Sequence, residues 1–492
     1  SVSLAIALCC WAIVTLWGCL WSVVWAIGFT TILRFTGVQP GLLAMVTRVL
    51  VGTSLWCGLD TLWSQGILYW PTVALTQSPN NLWLLQLNQL SGPSTTTALI
   101  VAVNGLLAEA LFLRQVLSLQ PRPALSPSLA QLSRSTALLM ALALGAIAHG
   151  VGAWIYVHPT LPSPAPDNPV DTSLAIGLIQ GNVPTRIKLT RAGIQQALNR
   201  YTTGYGELVS QGADLVVLPE GAIPLLWDAS KINPVAEAVG DRHIPALIGT
   251  FALATTADIG QTRSSAITQS LLMVVPATPN DALTPPDEFF PESGPVSDVS
   301  VRQSASPGSS VRVMSQYNKV KLVPLGEYIP AAGILGAIVT RLSPIQSTMI
   351  PGTPNQVLQT PWGVAIAGIC YESAFPELFR QQTLKGGEFI ITAANNDPYS
   401  GAMMTQHHAQ DVMRAIESDR WMVRVTNTGY SGVVSPRGDT VWRSQRNQPV
   451  THLASIKRRQ SRTLYVHWGN WLTPVLISLA GIMVMIQRLY WH

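Results

Sequence analysis

Charge is what this sequence has least of. Only 11% of its residues are Asp, Glu, Lys or Arg, against roughly 25% in typical soluble proteins. The shortage is local. Residues 1–33 carry no charged side chain, and neither does the stretch from Thr61 to Ala108. Between Asp167 and Arg462, by contrast, stand 24 Lys+Arg and 23 Asp+Glu, the balance of an ordinary soluble domain. A uniformly water-soluble globule is therefore excluded. Clusters of Lys and Arg with interleaved aromatics are also lacking, so the net charge of +5 gives no reason to expect nucleic acid as a partner. The excess positive charge sits beside the apolar runs, where six Arg stand against Asp60 and Glu109. Membrane topology explains that bias better.

Cysteine is scarce too. Cys9, Cys10, Cys19 and Cys57 lie in apolar runs, where a small buried hydrophobe is the ordinary reading. Cys370 stands alone in the polar region with no disulfide or zinc partner, which makes it a candidate nucleophile. His407 and His408 are neighbours, and adjacent side chains on a helix diverge, so no metal is expected. The chain begins at Ser1 inside a hydrophobic run without a basic leader, and is read as lacking an N-terminal portion.

What the sequence does have is long apolar runs, at roughly 3–33, 41–59, 94–113, 136–157 and 472–490. A membrane-spanning helix needs about 20 such residues. Arg48, Asn104 and Glu109 lie within or near these runs and are expected to face other helices, because intramembrane polar groups are costly. The loop 114–135 holds Arg114, Arg122 and Arg134 and is expected on the cytoplasmic side. The segment 60–93 has no Lys or Arg, is expected outside, and suggests an interfacial or re-entrant piece. Alternation then puts everything after about residue 158 outside. The basic run KRRQSR at 457–462 lies on that outer side, but large translocated domains escape the positive-inside bias.

This reading divides the chain into a helical membrane region at 1–158, a Pro-rich linker at 159–171, a catalytic domain at 172–466 and a final transmembrane helix at 467–492. Within the domain, β-type runs such as SLAIGLIQ, ADLVVLPE, AITQSLLMVV, GVAIAGICYE and GEFIITAA recur, with helical stretches at 188–211 and 405–418. The pattern predicts a mixed α/β sandwich. Residues 277–310, rich in Pro, Ser, Asp and Gly, are expected to form a disordered insertion.

Three runs end on reactive side chains. LVVLPEG leads a buried strand into a turn at Glu220, YNKVKLVPLGEYIP carries Lys319, Lys321 and Glu327, and GVAIAGICYESAFPE puts Cys370 at a strand end, followed by Tyr371 and Glu372. Taken singly, each has a bland explanation: an exposed turn glutamate, surface lysines, an inert buried thiol. Together they make a machine for acyl transfer. A thiol is a weak nucleophile until a base or a cation activates it. A glutamate takes its proton, and a lysine faces the developing oxyanion, worth roughly 3 kcal/mol in a desolvated pocket.

The order Glu, Lys, Cys and the motifs LIQGNVP (178–184), LPEG (218–221), CYESAFPE (370–377), NTGYSGVVSPRGD (427–439) and RTLYVHWGNW (462–471) resemble the apolipoprotein N-acyltransferases, a family of the nitrilase or carbon–nitrogen hydrolase superfamily. NGLLAEAL at 104–111 fits the flanking helices of that family, so the resemblance covers nearly the whole chain. It implies an α/β fold: a nitrilase-like α-β-β-α sandwich domain inserted between transmembrane α-helices. It implies Glu220 as general base, Lys319 as the oxyanion lysine and Cys370 as the nucleophile, with Glu327, Tyr371 and Glu372 supporting the site or binding substrate. Lys321 would share a strand face with Lys319, and the resemblance singles out Lys319. The donor implied is a phospholipid and the acceptor a diacylglyceryl apolipoprotein, served by a monomer without metal or cofactor in the bacterial inner membrane, its catalytic domain on the periplasmic side. The chain departs from the family in having Leu189 where an aromatic is common and NDPYSG at 396–401, and both regions bear on lipid contact. A membrane-anchored amidohydrolase using the same triad is the first alternative, and a catalytically silent scaffold the second.

Overall fold

The computed structural model describes residues 4–36, 41–66, 69–118, 127–158, 173–228, 233–253, 266–277, 310–324, 326–328 and 349–490. The linker at 159–171 and residues 278–309 of the expected insertion lie outside the described residues. The chain divides into two compact units, Ser1–Thr160 with Thr463–His492, and Leu161–Arg462.

The first unit is helical. Among the described residues, the helices Leu4–Thr36, Leu42–Ser64, Pro93–Ser118, Pro127–Val157 and Leu472–Tyr490 contain five segments long and apolar enough to cross a membrane. Residues 69–92 do not form a span. They fold into a 3-10 turn at Val73–Gln77 and the short helices Leu82–Leu85 and Asn88–Ser91. Polar side chains stitch the unit together: Asn470 donates to Thr61 Oγ1 at 3.0 Å and accepts from Ser94 at 2.7 Å. Arg48 meets Glu109 in a bidentate pair, Nε to Oε1 at 2.6 Å and Nη2 to Oε2 at 2.7 Å. Asn104 donates its amide to Ile100 O of its own helix at 2.8 Å and lines a cavity shared with Trp25 and Arg48 of two other helices.

The second unit is built from strands whose apolar runs are buried on both faces, as expected when a sheet is covered twice. The first sheet contains β1 (Ser173–Gln180), β2 (Leu215–Val217), β3 (Ile223–Leu226), β4 (Ala246–Leu253), β5 (Ile267–Pro276) and β6 (Val311–Asn318). The second contains β7 (Leu358–Thr360), β8 (Gly363–Ile369), β9 (Gly387–Ala394), β10 (Met422–Thr426), β11 (Gly432–Val434) and β12 (Thr440–Arg443). The last strand, β13 (Val450–Lys457), returns to the first sheet antiparallel to β1. The orders are β13-β1-β2-β4-β5-β6, with β3 beside β4, and β12-β11-β10-β9-β8-β7. In each sheet a parallel trio, β1-β2-β4 or β8-β9-β10, forms the centre.

Side-chain alternation divides the core in two. Ile176, Leu247 and Met273 of the first sheet join Ala367, Ile391 and Val423 of the second in one cluster, so the sheets pack face to face. The intervening residues Val216, Ile248 and Val274 point outward into a second cluster with Tyr201, Leu208 and Val239 from the helices Arg191–Ser210 and Pro234–Arg242. Helices Pro376–Leu384 and Gly401–Ser418 cover the second sheet. The result is the α-β-β-α sandwich. The sequence pattern does not single out β4, whose run ALIGTFAL is interrupted by Gly249 and Thr250.

Candidate active site

Ligand sites of parallel sheets form at the carboxyl ends of the strands, and the reactive side chains of this unit collect there. Glu220 follows β2 through Pro219 and is 7% exposed. Its turn lies close against β4: a Cβ on Gly249 would stand 2.1 Å from Pro219 O, so only glycine fits there. Glu220 Oε1 accepts from Lys319 Nζ at 2.9 Å, and Oε2 accepts from the backbone N–H of Asn395, just past β9, at 2.8 Å.

Lys319 is the first residue after β6, and none of its side chain is exposed. Its ammonium lies between two carboxylates, Glu220 and Glu327, the second at 2.5 Å. Glu327 is held in turn by Val323 N–H at 2.9 Å. Burial alone lowers a lysine, but the two carboxylates outweigh it and hold Lys319 well above its usual range, so it stays charged at neutral pH. The expected strand face shared with Lys321 is absent. β6 ends at Asn318, and Lys321 instead sets its ammonium over the Phe375 ring at 4.9 Å.

Cys370 closes β8 and opens the 3-10 turn Cys370–Ala374. Its φ of 51° lies in the left-handed region, a conformation L-residues avoid without surrounding support. Glu372 supplies that support. One of its oxygens accepts from Ile369 N–H at 2.7 Å and Tyr317 O–H at 3.1 Å, while the other accepts from the N–H groups of Val320 and Lys321 at 2.6 and 3.1 Å. A single buried carboxylate thus ties the strand before the thiol to the loop after the lysine. Burial pushes Glu372 up to about 7 against the pull of the Ile369, Lys321 and Val320 N–H groups. Tyr371 is half-buried, its ring edge-on to Phe375 at 5.1 Å.

The Cys370 thiol is 3% exposed. Burial first, then the Glu220 charge, push it up to about 12, with Lys319 opposing. The resting enzyme therefore holds a protonated thiol. Attack by this sulfur requires a base in the same step, and Glu220 is the carboxylate that couples most strongly to it.

The other motifs serve the scaffold. Asn427 clasps Val183 through two hydrogen bonds, N–H to Oδ1 at 2.9 Å and Nδ2 to O at 2.7 Å, joining the 178–184 and 427–439 segments. Thr185 N–H donates to Asp397 at 2.8 Å, so the two segments where the chain departs from the family, around Leu189 and 396–401, belong to one rim. Lys188, 5% exposed, donates to Glu220 O at 3.3 Å; burial lowers it to about 8, opposed by Glu220 and Asp397. His407 and His408 diverge as expected, the first to Asn396 and Arg424 and the second to Thr440.

Sequence reading missed Asn395, Lys188 and Tyr399, whose hydroxyl is raised by burial and then by Cys370. It also missed Arg424, which bonds Asp411 at 2.8 Å and Ser373 at 3.2 Å, the latter in the Cys370–Ala374 turn. An arginine inside the apolar run WMVRV was a usable signal, since buried charges are rarely unpaired. A backbone N–H such as that of Asn395 leaves no mark in a sequence.

This arrangement can be set beside known proteins. A family model described as carbon–nitrogen hydrolase matches residues 298–464. An apolipoprotein N-acyltransferase of Nostoc sp. is 42% identical over 97% of this chain and 81% of its own length. Its counterpart in Synechocystis sp. is 37% identical over 99% of this chain and 84% of its own. That of Thermosynechococcus vestitus is 39% identical over 98% and 79%. With five helices among the described residues long and apolar enough to cross a membrane, the chain is a multi-pass bacterial membrane protein. The chain belongs to the apolipoprotein N-acyltransferase family of the carbon–nitrogen hydrolases.

Proposed function

We propose that the chain transfers a fatty acyl group by a ping-pong route through a thioester on Cys370, with Glu220 as base and Lys319 facing the oxyanion. The observation that carries this reading is the charged Lys319 held between Glu220 and Glu327 beside a protonated, buried thiol. An ammonium has three N–H donors. Among the described residues the two carboxylates occupy two, which leaves the third for an oxyanion.

In the first half-reaction Glu220 takes the Sγ proton as sulfur attacks the carbonyl carbon of a phospholipid acyl ester. The tetrahedral oxyanion accepts from Lys319. The C–O bond breaks, Glu220 returns the proton to the leaving oxygen, and a lysophospholipid departs. In the second, the α-amine of a diacylglyceryl-cysteine apolipoprotein attacks the thioester, Glu220 accepts the amine proton, the C–S bond breaks and sulfur regains the proton. No metal or cofactor enters either step. Glu327, by sharing Lys319, and Glu372, by holding both loops, act as positioning residues, and Tyr371, next to Cys370 in the chain, binds substrate.

Glu220→Gln keeps the shape of the side chain but cannot take a proton, and its amide oxygen can accept from only one of the Lys319 ammonium and the Asn395 N–H. Lysophospholipid release in a single turnover is expected to slow by about 10²- to 10⁴-fold, the usual worth of a general base. Normal release with a block only at the amine would assign Glu220 to the acceptor step alone.

The catalytic domain, 172–466, is placed on the periplasmic side and the loop 114–135 in the cytoplasm, on the arginine asymmetry of the loops. Single cysteines introduced in each region of a variant lacking Cys9, Cys10, Cys19, Cys57 and Cys370 should react with an impermeant maleimide from opposite sides. Labelling of both from one side would overturn the assignment.

A further inference from the structure

A chain of buried polar side chains joins the Cys370–Ala374 turn to the loop after β9 that holds Glu220. Its centre is Arg424, in β10. Through Nη1 the guanidinium donates to Ser373 Oγ at 3.2 Å and to Asp411 Oδ2 at 2.8 Å, and through Nη2 to His407 Nδ1 at 3.0 Å. His407 and Asp411 stand one turn apart on the helix Gly401–Ser418, so both reach the guanidinium from one helix face. The same Nδ1 lies 2.8 Å from Asn396 Nδ2. Asn396 follows Asn395, whose backbone N–H donates to Glu220 Oε2 at 2.8 Å.

The donors fix where the proton of His407 sits. A guanidinium nitrogen can only donate, so Nδ1 must accept, and the neutral ring carries its proton on Nε2. The same unprotonated nitrogen takes the Asn396 amide. A proton on Nδ1 would cost both contacts at once. Burial first, then the Arg424 and Lys319 charges, hold His407 well below the usual histidine range, so the ring stays neutral at neutral pH. Asn396 is confined from its other side. A Cβ on Gly429 would stand 2.8 Å from both Cβ and Oδ1 of Asn396, so only glycine fits there. Tyr399 N–H donates to Asn396 O at 3.0 Å, and the Tyr399 ring meets His407 edge-on at 5.9 Å.

We propose that His407 is a positioning residue for acyl transfer: its unprotonated Nδ1, accepting from Arg424 and Asn396 together, sets the Asn395 N–H that aims Glu220 relative to the turn carrying Cys370. The inference rests on the reading of Glu220 as the base. Proton transfer in the attacking step depends on that relative placement, and a displacement of about 1 Å costs on the order of 10²-fold in rate. His408, bonded to Thr440 at 2.9 Å, stands outside this chain of contacts.

The test follows lysophospholipid release in a single turnover of the full chain in detergent, expressed per folded molecule, with a phospholipid of one defined acyl chain as probe. His407→Leu keeps bulk but offers no acceptor. It should slow release at saturating phospholipid by on the order of 10²-fold and leave the half-saturating concentration within about twofold. His407→Asn puts an amide oxygen at the δ position, where it can accept from both donors, and should recover about tenfold of that loss, the worth of a net hydrogen bond. A ring that only stabilised the fold would change the amount of folded protein and not the rate per molecule. In a Glu220→Gln background the His407→Leu change should cost less than about threefold, because no base is left to aim. A cost there as large as in the unaltered protein, or a His407→Leu protein as fast as the unaltered one, overturns the inference alone when Glu220→Gln by itself is slow. A Glu220→Gln protein that releases lysophospholipid at the full rate removes the base reading, and the inference with it. The tautomer is checked without any activity. In protein carrying ¹⁵N-histidine, the resonances lost in His407→Asn should include a pyridine-type Nδ1, and a pyrrole-type Nδ1 would overturn the proposal.

Discussion

Replacing Cys370 with Ala is expected to cut acyl transfer by at least roughly 10⁴-fold, because removal of a nucleophile leaves only binding and oxyanion stabilisation. The loss should be chemical and not a failure to fold. The side chain is small, it ends a strand, and the surrounding turn is held by Glu372 and not by the sulfur. Cys370→Gly separates chemistry from strain. It is equally unable to attack, yet it removes the Cβ from a backbone at φ 51°. It should therefore be about 1 kcal/mol more stable than the Ala variant, the usual cost of a Cβ in the left-handed region. Denaturant unfolding of the two variants measures this directly. If Ala proves the more stable, the turn carries no strain. If either variant retains robust transfer, the cysteine mechanism is wrong.

Lys319→Met should be the second severe loss, and it should be felt twice. Each half-reaction passes through a tetrahedral oxyanion, so both lysophospholipid release and amine acylation should slow by about 10³-fold, the worth of a buried oxyanion donor. Stability should fall as well. Removing the cation leaves Glu220 and Glu327 facing each other, and breaking a buried pair in this way costs about 3 kcal/mol. A second change, Glu327→Gln, should recover part of that stability while leaving activity lost. The pH dependence has a definite sign. The folded-state value of Lys319 lies above its unfolded value, so its contribution is full at neutral pH and is lost only as pH rises above the ordinary lysine range. Cys370, also raised, adds to the same alkaline loss above the ordinary thiol range, up to about 12. A Lys319→Met enzyme that forms the thioester at a normal rate and stalls at the amine would make Lys319 an acceptor-binding residue.

The legible part of this protein is the part written in local runs. Uncharged stretches mark the apolar helices, and β8 appears as an unbroken run of small and apolar residues that ends at Cys370. Where tertiary structure decides the outcome, local reading failed. Lys319 and Lys321 look equivalent as neighbours in a strand, but the strand stops at Asn318 and the two ammonium groups part. Glu372 reads as a companion of the thiol, and nothing in CYES announces that it gathers three N–H groups from two separate segments. Such bonds to main-chain groups depend on where the backbone passes and not on which side chains it carries.

The thioester itself is the most direct test. The purified protein, incubated with a phospholipid of one defined acyl chain and quenched in acid before any acceptor is added, should gain the mass of one acyl group. Peptide mapping should place it on Cys370, neutral hydroxylamine should remove it, and addition of a diacylglyceryl-cysteine peptide should move it to the peptide amine. An adduct on another residue, or amide formed at full rate with no acyl group ever on Cys370, would contradict the account.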